Sequence, residues 1–320
     1  MSQIISNNNI SVSSSNKSPC SSCILGKFAK LPFAAVEHTS NAPFQIIHSD
    51  VLGPYPILSF HGYRYFVVFI DDFTRFSWIY FLKNKSDVYS TFLNFESYVH
   101  RQFNSKILAF HSDWGGEFQK LHSYFNKNRI IHRISCHYMH EQNGLSERKI
   151  RHIVDTGLTL IAYAQIPFRY WSFAFHTVIN SINILPTPVL QNSILFHKLY
   201  NKSPNYMDTK VFGCAIFLYL RPYNKNKFSY RSKQCVYLGH AHNHAGFNCL
   251  DIENDKIFIV RHAKFHEDTF PFKSYLHTTI QPITFNPHVA HTLIQSIPHV
   301  NFIQTETAIH FFHTATSFFW

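Results

Sequence analysis

Acidic residues are scarce in this chain: 18 Asp and Glu stand against 29 Lys and Arg, giving a formal net charge of +11 and a pI near 9.3. Such an excess favours a polyanionic partner, nucleic acid or an anionic membrane surface. Long apolar runs are missing as well. No stretch reaches the roughly 18 residues of a membrane span, and the amino terminus has neither the basic head nor the apolar core of a secretory signal. Cysteine is sparse, six in 320 residues, and scattered apart from Cys20 and Cys23, which suits reduced thiols better than a disulfide framework. What is present is enough apolar material, 45% of residues, for real cores in two ordinary domains. The expectation is a soluble intracellular protein that binds nucleic acid and no membrane.

The pattern changes along the chain. Residues 1–18 hold eleven Ser or Asn and read as a disordered leader. From 41 to 201, β-branched and aromatic runs, "GYRYFVVFIDD", "FSWIYFL" and "KILAFHSD", alternate with helical spacing. "SDVYSTFLNFESYVHRQF" reads as a helix opened by a Ser cap at Ser86. A helix follows Gly116, then a short strand near "RIIHRIS", then a long helix from about Leu145 to Ala164 with Ile150, Ile153, Val154, Leu158 and Ile161 as its core face. Pro167 ends it, and "FRYWSFAFHTVINSINIL" forms another. This order predicts an α/β layer with an antiparallel hairpin edge. Residues 202–268 switch to short strands at turn-sized spacing, as in a small β-barrel. The tail, 269–320, is apolar, irregular and rich in His and Phe, and suits neither a linker nor a defined element.

The triplet "HSD" occurs twice after apolar runs, at 48–50 and at 111–113, the second time followed by "WGGEF". An acid at a strand's end is either a polar terminus facing water or one arm of a cluster. With Asp50 and Asp113 at strand ends and Glu147 in the first turn of the long helix, where the helix dipole favours an acid, three carboxylates are able to converge. Two of them about 4 Å apart repel by roughly 4 kcal/mol at an effective dielectric of 20. Divalent cations remove that repulsion, and oxygen donors suit hard ions such as Mg²⁺ or Mn²⁺. The Gly-Gly pair would let the backbone leave the strand sharply.

The contexts carry more than the acids. "HSDVLGP", "GYRYFVVFIDDFTRFSWIYFLKNKSDVYSTF", "HSDWGGEF" and "SCHYMHEQNGLSERKIRHIVDTGLTL" closely resemble the integrase of copia-type long-terminal-repeat retrotransposons, plant ones especially. The resemblance implies an RNase H-like core, a mixed five-stranded sheet flanked by helices, spanning 41–201. "VFGCAIFLYLRPYNKNKFSYRSKQCVYLGH" resembles the SH3-like β-barrel that follows it. It further implies catalytic metal ligands at Asp50, Asp113 and Glu147 holding two Mg²⁺ or Mn²⁺ ions, with double-stranded DNA, both element ends and target, as partner. A homo-oligomer and nuclear action, after a cytoplasmic particle stage in an intact element, belong to the same expectation. The chemistry implied is hydrolytic trimming of element ends, then attack of the freed 3′ hydroxyl on a host phosphodiester. His137 and Met139 stand where related sequences read Pro and Thr, a departure that would loosen the approach to Glu147.

Supporting residues have double readings. Lys149 and Arg151, flanked by Arg148 and His152, are candidates for DNA phosphates, although Glu147 and Arg151 also form an i, i+4 pair. Contact of Asn143 and Gly144 with DNA is implied by the resemblance alone. Asp71 and Asp72 point to opposite faces of a strand and suit a turn cap, and Glu117 suits a helix start. Lys225, Lys227, Arg231 and Lys233 form a basic stretch that fits either DNA or solvent. "CSSCILGK" has zinc-ligand spacing at Cys20 and Cys23 and resembles half of a His-His-Cys-Cys site in a remnant spanning 19–40. With no His before His38, Zn²⁺ binding is not expected. Two further readings stand beside an integrase: a catalytically inactive nucleic-acid-binding remnant, and a hydrolytic nuclease of the RNase H kind.

Overall fold

The computed structural model describes residues 40–135, 143–190, 192–219, 228, 230–242 and 244–273, together with positions 22 and 25. Cys20, Cys23, His137, Met139, Lys225, Lys227, the expected leader and the tail beyond 273 lie outside the described residues.

A first sheet has five strands: β1 (Ile46–Leu52), β2 (Tyr65–Asp71), β3 (Ser77–Leu82), β4 (Ala109–Ser112) and β5 (Ile131–Ile134), in the order β3-β2-β1-β4-β5. β1, β2 and β3 form an antiparallel meander, while β4 and β5 run parallel to β1. Parallel neighbours need crossovers; α1 (Val88–Phe103) and α2 (Gly116–Asn128) supply them. The expected Ser86 cap is not where α1 begins. A 3-10 turn, Lys85–Asp87, precedes it, and the Asp87 carboxylate accepts the Asn84 N–H at 2.9 Å.

β2 is buried on both faces. Phe66, Val68 and Ile70 point to one side and Val67 and Phe69 to the other, as strand alternation requires. The second side is covered by α1 and α2 through Phe92, Phe95, Phe118 and Phe125. The first is covered by α3 (Gly144–Ala164) and α4 (Trp171–Ile184). In α3, Ile150, Ile153 and Ile161 are buried, while Val154 and Leu158 are half-buried. The helix ends at Ala164 with Gln165 in a left-handed cap; Pro167 comes later and starts a 3-10 turn, Phe168–Tyr170, that leads into α4. At the far end of α4, the Asn183 amide donates to the carbonyl of Ser77 and accepts its N–H, so a side chain takes the place of a strand partner at the edge of β3.

Beyond α4 come a two-stranded ribbon, β6 (Pro186–Thr187) and β7 (Ser193–Ile194), and a short helix, α5 (Leu195–Tyr200); none of the three is signalled by the sequence pattern. A second, fully antiparallel sheet follows: β8 (Ala215–Tyr219), β9 (Ser232–His240), β10 (Phe247–Asp251), β11 (Lys256–Val260) and β12 (Ala263–His266), ordered β11-β10-β9-β8-β12. It is barrel-like, and Cys214, Cys235 and Cys249 are free thiols within its packed side. One apolar cluster joins the two parts, because α4 packs on both the first sheet and β9. Among the described residues no helix is long and apolar enough to cross a membrane.

Close approach of α3 and α4 rests on Gly157, where an added Cβ would lie 2.3 Å from a ring carbon of Phe175. Gly157→Ala gains about 1 kcal/mol of helix propensity, but crowding a buried ring costs about 1–3 kcal/mol. The variant should lower the urea midpoint; an unchanged or raised midpoint would show that the two helices do not pack this closely.

Candidate active site

The two "HSD" triplets lie side by side. β1 and β4 pair in parallel with His48 opposite His111, and their rings lie 5.0 Å apart between centroids, tilted by 50°. Because Asp50 pairs with Val68 and His48 with Ile70, both side chains project to the α3 face. Asp113 follows β4 by one residue and is exposed. Burial pushes the His111 imidazole down to about 4, helped by His48, Arg133 and His132 and opposed by Asp72.

Asp50 is the electrostatic centre. Its carboxylate accepts the N–H of Val51 at 2.7 Å, yet its pKa is pushed up to about 7. Burial is the largest cause; the Val51 hydrogen bond opposes it, and the charges of Asp113, Glu147 and Glu117 add repulsion. Three acids remote from it in the chain therefore add their charge to this one strand position. Glu117 was signalled only as a helix-start acid. It does open α2, and its carboxylate pairs with Lys85 Nζ at 3.0 Å.

The Gly-Gly pair does not work as the sequence suggests. Neither Gly115 nor Gly116 has a positive φ. What Gly115 supplies is space: a Cβ there would stand 2.8 Å from a Glu117 carboxylate oxygen and 3.1 Å from Asp113 Oδ1, which also accepts the Gly115 N–H at 3.1 Å. The missing side chain lets two carboxylates fold around one backbone position.

Glu147 is carried by the first turn of α3, and Asn143 ties that turn to β1. Asn143 is 2% exposed. Its Nδ2 donates to the carbonyl of Ser49 at 3.4 Å, next to Asp50, while its Oδ1 accepts the Ser146 hydroxyl at 2.5 Å. Asn143, a candidate for DNA contact, is thus an internal strut in this arrangement. Lys149, a second candidate, is half-buried and lines a cavity, whereas Arg151 is exposed. Lys233 is held by Asp251 at 2.7 Å and Glu253 at 2.8 Å, while Arg231 stays exposed.

The neighbouring acids Asp71 and Asp72 build the β2–β3 turn. Asp71 accepts the N–H groups of Phe44 and Thr74 and the Thr74 hydroxyl. Burial disfavours charge on Asp72, but hydrogen bonds from His48 and Ser40 and the Arg75 guanidinium hold its carboxyl well below the usual range.

An all-carboxylate set around a half-buried Asp50 fits a hard divalent cation in donor chemistry. Among the described residues, no three His, Cys, Asp or Glu side chains are gathered closely enough to hold one ion.

The raised Asp50 value has a definite sign. Its ionised form burdens the fold; that burden is absent below the unfolded pKa near 3.9 and grows as pH rises to about 7. By linkage it amounts to about 4 kcal/mol at most above that pH. In chelator, Asp50→Asn should melt higher than the parent at pH 8 and no higher at pH 4 by circular dichroism. Equal melting at both pH values would remove the repulsion.

Sequence comparison places this geometry in a family context. Residues 40–140 match the integrase core domain and residues 214–278 the retroviral polymerase SH3-like domain. The chain is 44% identical over 285 residues to the retrovirus-related Pol polyprotein from transposon RE1 of Arabidopsis thaliana, and 45% over 255 residues to that from transposon RE2 of the same plant. These matches cover 88% and 80% of this chain but 19% and 17% of the polyproteins, so the chain spans under a fifth of the length of these curated relatives. The polyprotein from transposon TNT 1-94 of Nicotiana tabacum is 31% identical over 251 residues, 78% of this chain and 19% of that protein. Among solved structures, the HTLV-2 integrase catalytic core domain in complex with magnesium, in its trimeric form, aligns with TM-score 0.37 at 20% identity, covering 49% of this chain and 96% of that one. The simian T-cell lymphotropic virus intasome in complex with PP2A regulatory subunit B56 gamma gives 0.46 at 15% identity, covering 78% and 84%. Likeness at that level carries no argument about chemistry; the sequence matches do. Residues 40–140 thus match the integrase core domain, residues 214–278 match the retroviral polymerase SH3-like domain, and most of the chain is similar to a segment of plant retrotransposon Pol polyproteins.

Proposed function

We propose that this chain is the integrase segment of a copia-type retrotransposon and that it performs divalent-metal-dependent phosphodiester cleavage and DNA strand transfer. The observation that carries the reading is Asp50: a half-buried carboxyl on a central strand, burdened further by the charges of Asp113, Glu147 and Glu117. A fold keeps such repulsion where a cation relieves it. Asp50, Asp113 and Glu147 are the proposed ligands of two Mg²⁺ or Mn²⁺ ions. When bound, such ions supply Lewis acidity to a phosphodiester and offset the carboxylate charge.

The chain's own residues divide the remaining work. β1 holds Asp50 still within the sheet. Asn143 fixes the start of α3 to β1 and so sets where Glu147 stands. Gly115 leaves room for Asp113 and Glu117 to lie close together. Arg151, exposed one turn beyond Glu147, is assigned to a DNA phosphate. Double-stranded DNA, from both element ends and target, is the proposed partner. Nuclear action and a homo-oligomer follow from that substrate, since two element ends must be joined to one target.

A second reading has one observation behind it. The carboxylates are not gathered into an ion-sized group in this arrangement, which would also suit a nucleic-acid-binding remnant without activity. A strand-transfer assay with the element's own terminal sequence separates the two. Joining stimulated by Mg²⁺ or Mn²⁺ supports the enzyme; DNA binding with no metal-stimulated nicking selects the remnant.

Asp50→Ala, Asp113→Ala and Glu147→Ala should each reduce joining by at least 10³-fold while the circular dichroism spectrum is kept. Full joining by Asp113→Ala with Mg²⁺ would refute the ligand assignment. Arg151→Gln should weaken DNA binding evenly across sequences and lower the salt slope of log K by about one counterion; an unchanged slope would take Arg151 off the phosphate.

A further inference from the structure

Beside the first turns of α3, the helices α3 and α4 and the β6–β7 ribbon line a half-open cavity of about 680 Å³. That is the size of sites that take small molecules, which are mostly apolar with a few convergent polar groups. Leu160, Ile182 and Leu195 line its apolar part. Among the described residues its charged lining is one-signed: Arg75, Arg148, Lys149 and His152 all face it, and none of the described lining residues is acidic.

The charges are poorly compensated. Arg75 has one partner, Asp72, 3.0 Å from its Nη1. For Lys149, no hydrogen bond or ion pair occurs among the described residues. Burial and the neighbouring Lys149 charge lower His152, against Asp155. Like charges beside apolar surface are unfavourable unless a counter-charge joins them. An anion with an apolar body satisfies both halves of the lining at once, whereas a bare DNA phosphate would leave Leu160, Ile182 and Leu195 uncovered.

We propose that the cavity binds a small amphipathic anion, an aliphatic chain ending in a carboxylate or phosphate monoester, with its head between Arg75 and Lys149 and its chain along Ile182 and Leu195. This site lies outside the proposed reaction and does not depend on it. Lys149 is then an internal anion-binding residue, which accounts for its turning away from the helix face that carries Arg151.

Isothermal titration calorimetry of the full chain with monomeric dodecanoate at pH 7 tests this directly. Saturable one-to-one binding is expected, with dodecanol and inorganic phosphate each at least tenfold weaker. Lys149→Met should weaken dodecanoate at least tenfold while melting no lower than the parent, because it removes a half-buried charge with no ion pair among the described residues. Ile182→Trp, which fills the apolar end and keeps every charge, should weaken it as well. The proposal is overturned by absence of saturable binding to the parent, by equal affinity for dodecanol, or by undiminished binding in folded Lys149→Met. It is equally overturned if duplex DNA, and not dodecanoate, loses affinity in Lys149→Met.

Discussion

Carboxylates around Asp50 repel one another, and apolar packing holds them where they are. β1 cannot move Asp50 away, because its alternate residues are locked between two layers of helices. α3 cannot withdraw Glu147, because Ile150, Ile153 and Ile161 are buried on the sheet and Asn143 bonds its first turn to the carbonyl of Ser49. The opposition is between a large non-directional term and a local electrostatic one. Fully burying each of those isoleucines contributes about 1.5–3 kcal/mol, so together they exceed the roughly 4 kcal/mol of a close carboxylate pair. A site built this way is strained toward accepting positive charge.

The same helices also unite the two parts of the chain. α4 lies between β3 and β9, and its neighbours must come very near. Gly157 admits the ring of Phe175, while Gly213 and Gly239, both with positive φ, sit where a Cβ would meet Ala164 and Thr177. Tyr170 donates its hydroxyl to Asp255 in the β10–β11 turn, and Trp171 donates its indole N–H to the carbonyl of Ile57. The barrel-like sheet is therefore fastened to the helical layer and shares one apolar cluster with it. A charge carried by the second sheet thus has a fixed place relative to the proposed metal ligands.

Much of the first sheet was legible in the amino-acid pattern. β2, β3, α1, α2, α3 and α4 fall within the runs that signalled them, because period-2 and period-3.6 spacing are local properties. Other features were not legible. The β6–β7 ribbon is too short to show a period. The duplicated "HSD" hinted that two strands do similar work, but not that they pair in register with His48 opposite His111. Gly115 looked like a turn residue; only the neighbouring carboxylates reveal it as a spacer. Asn143 looked like a loop residue free to meet DNA, and its burial depends on Ser49, 94 residues away.

By itself, the sequence determined the order of strands and helices, the residue types at the three acidic positions and the family to which the two domains are homologous. All of these are recorded in neighbouring residues. Tertiary structure alone decided which charges act on one another: that Asp113, Glu147 and Glu117 all add repulsion at Asp50, that Lys149 lines a cavity with Arg75 while Arg151 is exposed, and that Lys233 is paired with Asp251 and Glu253. Distances between residues remote in the chain are set by how layers pack, and electrostatic energy depends on those distances and on burial, neither of which a local pattern contains.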